Sequence, residues 1–137
     1  MKLLLNLTAL LAIVFSPYAR CEWIPYADPL HKNAEITFST LSIKRADEMH
    51  YAVTVFTNYS TMQSIISNKN KVEFQSKSEV QYFGCESAEF ALGDAELYRG
   101  RDATGPKFTT IPKELTWNPI AAGSLQMEFL HKFCAVR

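Results

Sequence analysis

The sequence predicts an α+β domain: a single antiparallel sheet of about six strands, with a C-terminal helix packed on one face and tethered by a disulfide. Apolar residues alternate along several stretches joined by short polar connections. A later stretch, residues 125–134, switches to helical spacing. It ends on a cysteine that has one candidate partner left once an export signal is removed.

The chain of 137 residues suits one domain, and its first 21 residues are of a different kind. Lys2 is a positive start, residues 3–15 are a mostly apolar run, and "SPYARC" is polar and turn-forming. This is the order of a secretory signal peptide. The run of 13 residues rises about 20 Å as a helix, short of a roughly 30 Å hydrocarbon core, so no transmembrane segment is expected. Ala19-Arg20-Cys21 supplies the small residues that signal peptidase requires. Residues 1–21 then form the signal peptide and residues 22–137 the exported domain, bound for the periplasm or the outer surface. A lipid anchor at Cys21 fits less well, because Tyr18 and Arg20 stand where a lipobox carries Leu and a small residue.

Basic and acidic residues balance at 14 each, so net charge does not point to nucleic acid. Cleavage would remove Lys2 and Arg20 and no acid, leaving the mature chain mildly acidic. It would also remove Cys21. The remaining two cysteines, in an oxidising compartment, predict a Cys85–Cys134 bond. Two buried free thiols are the alternative. No C-x-x-C occurs, and His31, His50 and His131 lack ligand-like spacing, so no metal is expected.

Taken in order, residues 22–26 are short, and Pro25 suits an edge strand. Residues 35–45 alternate Ile36 and Phe38, then Leu41 and Ile43; the slip between them predicts a bulge or two short strands. Ala46-Asp47-Glu48 is a hairpin turn. In residues 49–59, Tyr51, Val53 and Val55 take one face and Ala52 and Phe56 the other, as in a central strand. Residues 60–71 are polar around an apolar knot at Ile65-Ile66 and are read as a loop with room for a helical turn. Alternation resumes over residues 72–85 and again, through Phe90, Leu92, Leu97 and Tyr98, over residues 88–100. A loop around Gly105-Pro106 leads to a strand interrupted by Pro112. Ser124 is a good N-cap. Leu125, Phe129, Leu130, Phe133 and Cys134 form one apolar stripe, and Glu128, His131 and Lys132 lie off it.

Several segments together resemble the surface-adhesin protein E-like domain of proteobacteria. They are Glu22-Trp23, "LSIKR" (41–45), "VTVFTNY" (53–59), "QSKSEVQYFGCE" (75–86), Tyr98 in "ELYRG" and "WNPIAAGSLQMEFLHKFC" (117–134). The resemblance covers nearly all of residues 22–134. It departs at Gly84, where members often carry Asp, and at Ala121-Ala122-Gly123-Ser124, where Pro-Gly-Ser is common. It implies a six-stranded antiparallel sheet, a helix tethered through Cys85 and Cys134, and export. It also implies adhesion to host extracellular-matrix or plasma proteins, with a homodimer as a further expectation. It assigns no binding residues.

No nucleophile elbow, phosphate loop or dinucleotide fingerprint occurs, so neither an enzyme nor a cofactor is expected. Lys69, Lys71 and Lys77 are candidates for a small basic patch facing an acidic partner; the plainer reading is charge that keeps an edge strand from pairing with other chains. The other functional class is a periplasmic small-ligand or envelope-maintenance protein with an aromatic cleft drawn from Tyr82, Phe83, Phe90 and Trp117, unless these rings fill the core.

Overall fold

A computed structural model describes residues 23–26 and 32–135. The expected signal peptide, its expected cleavage site and Cys21 lie outside the described residues. Among the described residues eight strands form one sheet: β1 (Trp23–Tyr26), β2 (Ala34–Ser39), β3 (Lys44–Arg45), β4 (His50–Ser67), β5 (Asn70–Gly84), β6 (Glu89–Tyr98), β7 (Lys107–Thr110) and β8 (Asn118–Pro119). A single helix, α1 (Leu125–Ala135), follows among the described residues. The main path runs β1-β2-β4-β5-β6-β7, while β3 pairs with β4 and β8 with β6. All these pairings are antiparallel. The six strands of the main path match the expected sheet, with Pro25 on its edge strand as expected.

The slip after Phe38 is a real break. A 3₁₀ turn at Thr40–Ser42 separates β2 from β3, and both then pair with β4. Ser42 holds the break together: its hydroxyl donates to the Ser39 carbonyl at 2.7 Å and accepts the Thr54 N–H at 2.8 Å. The segment around Pro112 also divides, into β7 and the two-residue β8. Near the middle of β6 a bulge sets Gly93 against Tyr82. A Cβ there would lie 2.6 Å from that ring and 3.1 Å from the Val80 carbonyl oxygen, so the close approach requires glycine.

The expected loop at residues 60–71 is instead strand. β4 continues to Ser67 beyond an irregularity between Asn58 and Gln63, turns at Asn68-Lys69, and returns as β5 from Asn70. Asn68 and Lys69 have φ of 49° and 67°, the left-handed pair that a two-residue hairpin turn requires. Polar composition misled here because the ladder between the two strands satisfies the backbone, and the bulge breaks the period a strand should show.

The core joins both halves of the fold. Ile36 and Phe38 of β2, Val53 and Val55 of β4, and Phe83 of β5 form one buried cluster with Phe129, Leu130 and Phe133 of α1. Phe38 meets the rings of Phe129 and Phe133 edge-on, with centroids 5.5 and 5.0 Å apart. Ser124 caps the helix as expected, its hydroxyl accepting the Met127 N–H at 3.2 Å. Cys85 and Cys134 are bonded, with Cα atoms 5.8 Å apart.

Candidate functional site

Among the described residues, beyond the irregularity β4 and β5 pair only with each other, from Gln63–Phe74 to Ser67–Asn70. The partnering of β2 stops at Tyr59 and that of β6 at Ser76. A two-stranded ribbon therefore extends past the sheet. Register places Ser64, Ile66, Lys71 and Glu73 on one of its faces. Ile66 is 73% exposed and Met62, two positions before Ser64, is 46% exposed. Such a ribbon is marginal by itself. Phe74 is buried on it and meets the Tyr59 ring edge-on at 5.7 Å, and Arg99 lies 3.6 Å from Glu73.

The loop of residues 99–106 secures the ribbon's base. Asn58 and Asp102 exchange two hydrogen bonds: the Asn58 side-chain N–H donates to the Asp102 carboxylate at 2.7 Å, and the Asp102 backbone N–H donates to Asn58 Oδ1 at 2.8 Å. The buried Ser76 hydroxyl donates to the Gly100 carbonyl at 2.6 Å and accepts from the Ala103 N–H at 3.1 Å. Arg101 reaches the Tyr59 carbonyl at 3.3 Å and Glu35 at 3.0 Å. These bonds tie the start of the irregularity to two neighbouring strands.

The three candidate lysines do not form one patch. Lys69 stands exposed in the turn, and Lys71 lies on the ribbon face, 3.1 Å from Glu73. Lys77 is six positions further along β5, which at strand rise is about 20 Å from Lys71. It is half-buried and pairs with Glu79 at 3.3 Å. The four candidate aromatics also separate. Phe83 is fully buried in the core and Phe90 packs against it. Tyr82 and Trp117 meet edge-on at 6.5 Å, and Trp117 stacks on His50 with centroids 4.0 Å apart.

His50 is a member of a cluster that residue spacing had not suggested. Its Nδ1 lies 2.8 Å from Asp47 and its Nε2 lies 3.1 Å from Glu89. It sits opposite Gly84 in the ladder, where a Cβ would crowd the Ser87 hydroxyl, Glu89 and the His50 ring. Burial alone would lower the His50 pKa, but the hydrogen bonds and charges of Glu89 and Asp47 together raise it above 6.5. Both carboxyls are held below their ordinary values, chiefly by their hydrogen bonds to His50. With a carboxylate on each ring nitrogen, His50 has no free nitrogen to activate a nucleophile. Among the described residues no group of three or more His, Cys, Asp or Glu side chains is placed to hold a metal ion.

The cluster is best formed when His50 is charged and both acids are ionised. The raised histidine pKa stabilises the fold fully below about pH 6.5, and this is lost as pH rises through the folded-state value. The lowered acid pKa values stabilise it above their unfolded values and are lost on acidification. Thermal melts of the wild type and His50→Asn should therefore differ most near pH 5–6 and converge towards pH 8. A difference that does not vary with pH would show that His50 contributes by stacking on Trp117 alone.

The family profile described as Surface-adhesin protein E matches residues 23–135. The chain belongs to the surface-adhesin protein E family. Solved structures agree in fold. Protein E from non-typeable Haemophilus influenzae has a TM-score of 0.57 at 12% identity, over 83% of this chain and 84% of that one. The selenomethionine form of Haemophilus influenzae protein E has a TM-score of 0.55 at 11% identity, over 81% and 85%. Crystal form II of that protein has a TM-score of 0.52 at 11% identity, over 74% and 80%. No curated protein sequence matches the chain. At the coarse level, family membership makes this an adhesin-like surface protein. Among the described residues no helix is long and apolar enough to cross a membrane.

Proposed function

We propose that this family member is an exported, non-catalytic binding protein of the bacterial envelope that holds a protein partner on the β4–β5 ribbon. Residues 1–21 act as its signal peptide. The observation that carries this reading is Ile66, 73% exposed on a strand pair that no other strand accompanies among the described residues. An exposed apolar side chain among charged neighbours is what a protein partner desolvates. Lys69 at the tip and Lys71 beside Ile66 favour an acidic stretch on that partner. The partner class that fits the family is host extracellular-matrix or plasma protein.

Ile66 carries little of the fold, so Ile66→Asp should leave the melt unchanged. It should weaken binding to the preferred member of a panel of purified matrix and plasma proteins by about tenfold or more. Lys69→Glu should weaken it less, and chiefly at low salt. Surface plasmon resonance with the oxidised protein reads both. Binding by the wild type that neither substitution alters would remove the ribbon as the site. Self-association lost in Ile66→Asp, seen by sedimentation, would instead make this ribbon face a homodimer contact. Protease shaving of intact cells tests exposure on the outer surface.

A further inference from the structure

The face of the sheet turned away from α1 carries a groove of about 510 Å³, within the range of small-ligand sites. Thr37, Phe56 and Ser78 stand opposite one another on β2, β4 and β5 and form its floor. They lie one position along from Ile36, Phe38 and Val55, whose side chains meet the helix, and so point to the other side. Trp23 of β1 and Tyr98 of β6 stand at the two sides of the groove. Asn58 and Asp102, bonded to each other, stand at one end.

Aromatic rings and hydrogen-bonding groups therefore face one space. Trp23 is 43% exposed. Its ring meets that of Phe56 at 68°, with centroids 6.3 Å apart, so the two form an inside corner. The polarised C–H bonds on the flat side of a sugar ring pack against the electron-rich face of such rings. The polar groups are fixed in advance. Asn58, itself 8% exposed, donates to Asp102 Oδ1 at 2.7 Å, which leaves Oδ2 to accept from a ligand. The Tyr98 hydroxyl donates to Glu96 at 2.5 Å, so its oxygen is turned to accept. The Ser78 hydroxyl on the floor both donates and accepts.

This mixture selects among ligands. A purely apolar chain would desolvate the carboxylate, amide and hydroxyls without replacing their hydrogen bonds. Among the described residues lining the groove, Asp102 has the one formal charge, so a phosphate, sulfate or uronate would meet repulsion. A neutral sugar fits both parts, with flat apolar sides for the rings and hydroxyl donors for the acceptors.

We infer that this groove binds a short neutral saccharide, stacked in the Trp23–Phe56 corner and hydrogen-bonded through its hydroxyl groups to Asp102 and Tyr98. This site is separate from Ile66 and does not rest on the reading of the ribbon. It gives the small-ligand class of function a place other than the aromatic cleft expected from Tyr82 and Trp117.

Cellobiose, chitobiose, lactose and maltose are the probes, each titrated into the oxidised protein and followed by two-dimensional NMR. At least one should move the Trp23 indole N–H signal and leave that of Trp117 in place. The same disaccharide carrying a uronate in place of one hydroxymethyl group should bind about tenfold more weakly. Trp23→Ala should weaken the neutral disaccharide about tenfold or more, and Trp23→Phe, which keeps a ring, less. Asp102 has φ of 54°, which asparagine tolerates, and an amide there still accepts from Asn58. Asp102→Asn should therefore hold the melt and weaken binding about tenfold through loss of the charge-assisted bond. No shift from any probe up to its solubility limit, tighter binding of the uronate form, or shifts centred on Trp117 or α1 would overturn the proposal. So would binding that neither Trp23→Ala nor Asp102→Asn alters. Ile66→Asp should leave disaccharide binding unchanged, so failure of the ribbon and failure of the groove are read separately.

Discussion

Reduction of the Cys85–Cys134 bond is expected to lower the melting temperature by about 10 °C or more. The bond spans a sequence separation of 49, for which chain entropy alone gives roughly 4 kcal/mol. That is a large share of the stability of a domain this size. The structure adds a reason for a local effect. α1 has 11 residues, too few to hold its helical form in water without tertiary contacts. Calorimetry with and without excess reductant, repeated with a Cys85→Ser/Cys134→Ser protein, measures the loss. Hydrogen exchange over residues 125–135 should rise before that of β4 and β5. An unchanged melt would mean that the aromatic cluster alone is sufficient to hold the helix.

Phe133→Ala is expected to cost about 3–5 kcal/mol in the oxidised protein. Phe133 is 2% exposed. Its ring lies 5.0 Å from Phe38, 5.2 Å from Phe83 and 5.5 Å from Phe129, centroid to centroid. Truncation therefore removes contacts to β2, to β5 and within α1 at one position. Its neighbour Cys134 stays bonded to Cys85, so the surroundings cannot easily close over the space left behind. Denaturant unfolding should show a lower midpoint with an unchanged slope. A loss below about 1 kcal/mol would show that the site collapses and that the disulfide carries most of the helix's attachment.

Of the two effects, the cysteine bond was legible before any fold was known. Reading residues 1–21 as an export signal sets aside one of the three cysteines and leaves a single pair, which an oxidising compartment would join. The helical stripe was legible for a different reason. Phe129, Leu130 and Phe133, the buried residues of α1, are members of the stripe read from spacing. Alternation along residues 51–56 likewise gave the correct faces of β4, with Val53 and Val55 in the core. The ribbon was not legible. Its residues are mostly polar, the irregularity after Asn58 breaks their period, and their strand form comes from the opposite strand rather than from their own propensity.

The candidate sites follow the same division. Lys69 and Lys71 were visible as charges, but their distance from Lys77 depends on β5 being extended throughout. Phe90 was named for a cleft and does line a groove, beneath the helix rather than beside Trp117. His50 gave no signal, because its second carboxylate lies 39 positions away and arrives only through the register of β4, β5 and β6. The groove opposite the helix gave no signal either: Trp23, Phe56 and Tyr98 share one face only through the register of the ladders between them.

Periodicity and the cysteine count determined that this chain makes an antiparallel sheet with a disulfide-tethered helix, since periodicity records which side of an element is buried and a lone pair of cysteines is what an oxidising compartment would join. Tertiary structure alone decided where the sheet outruns its neighbours, which acids meet His50 and which rings share the face opposite the helix. Those depend on register and bulges, and a shift of one residue in any ladder would turn the same side chains to the opposite face.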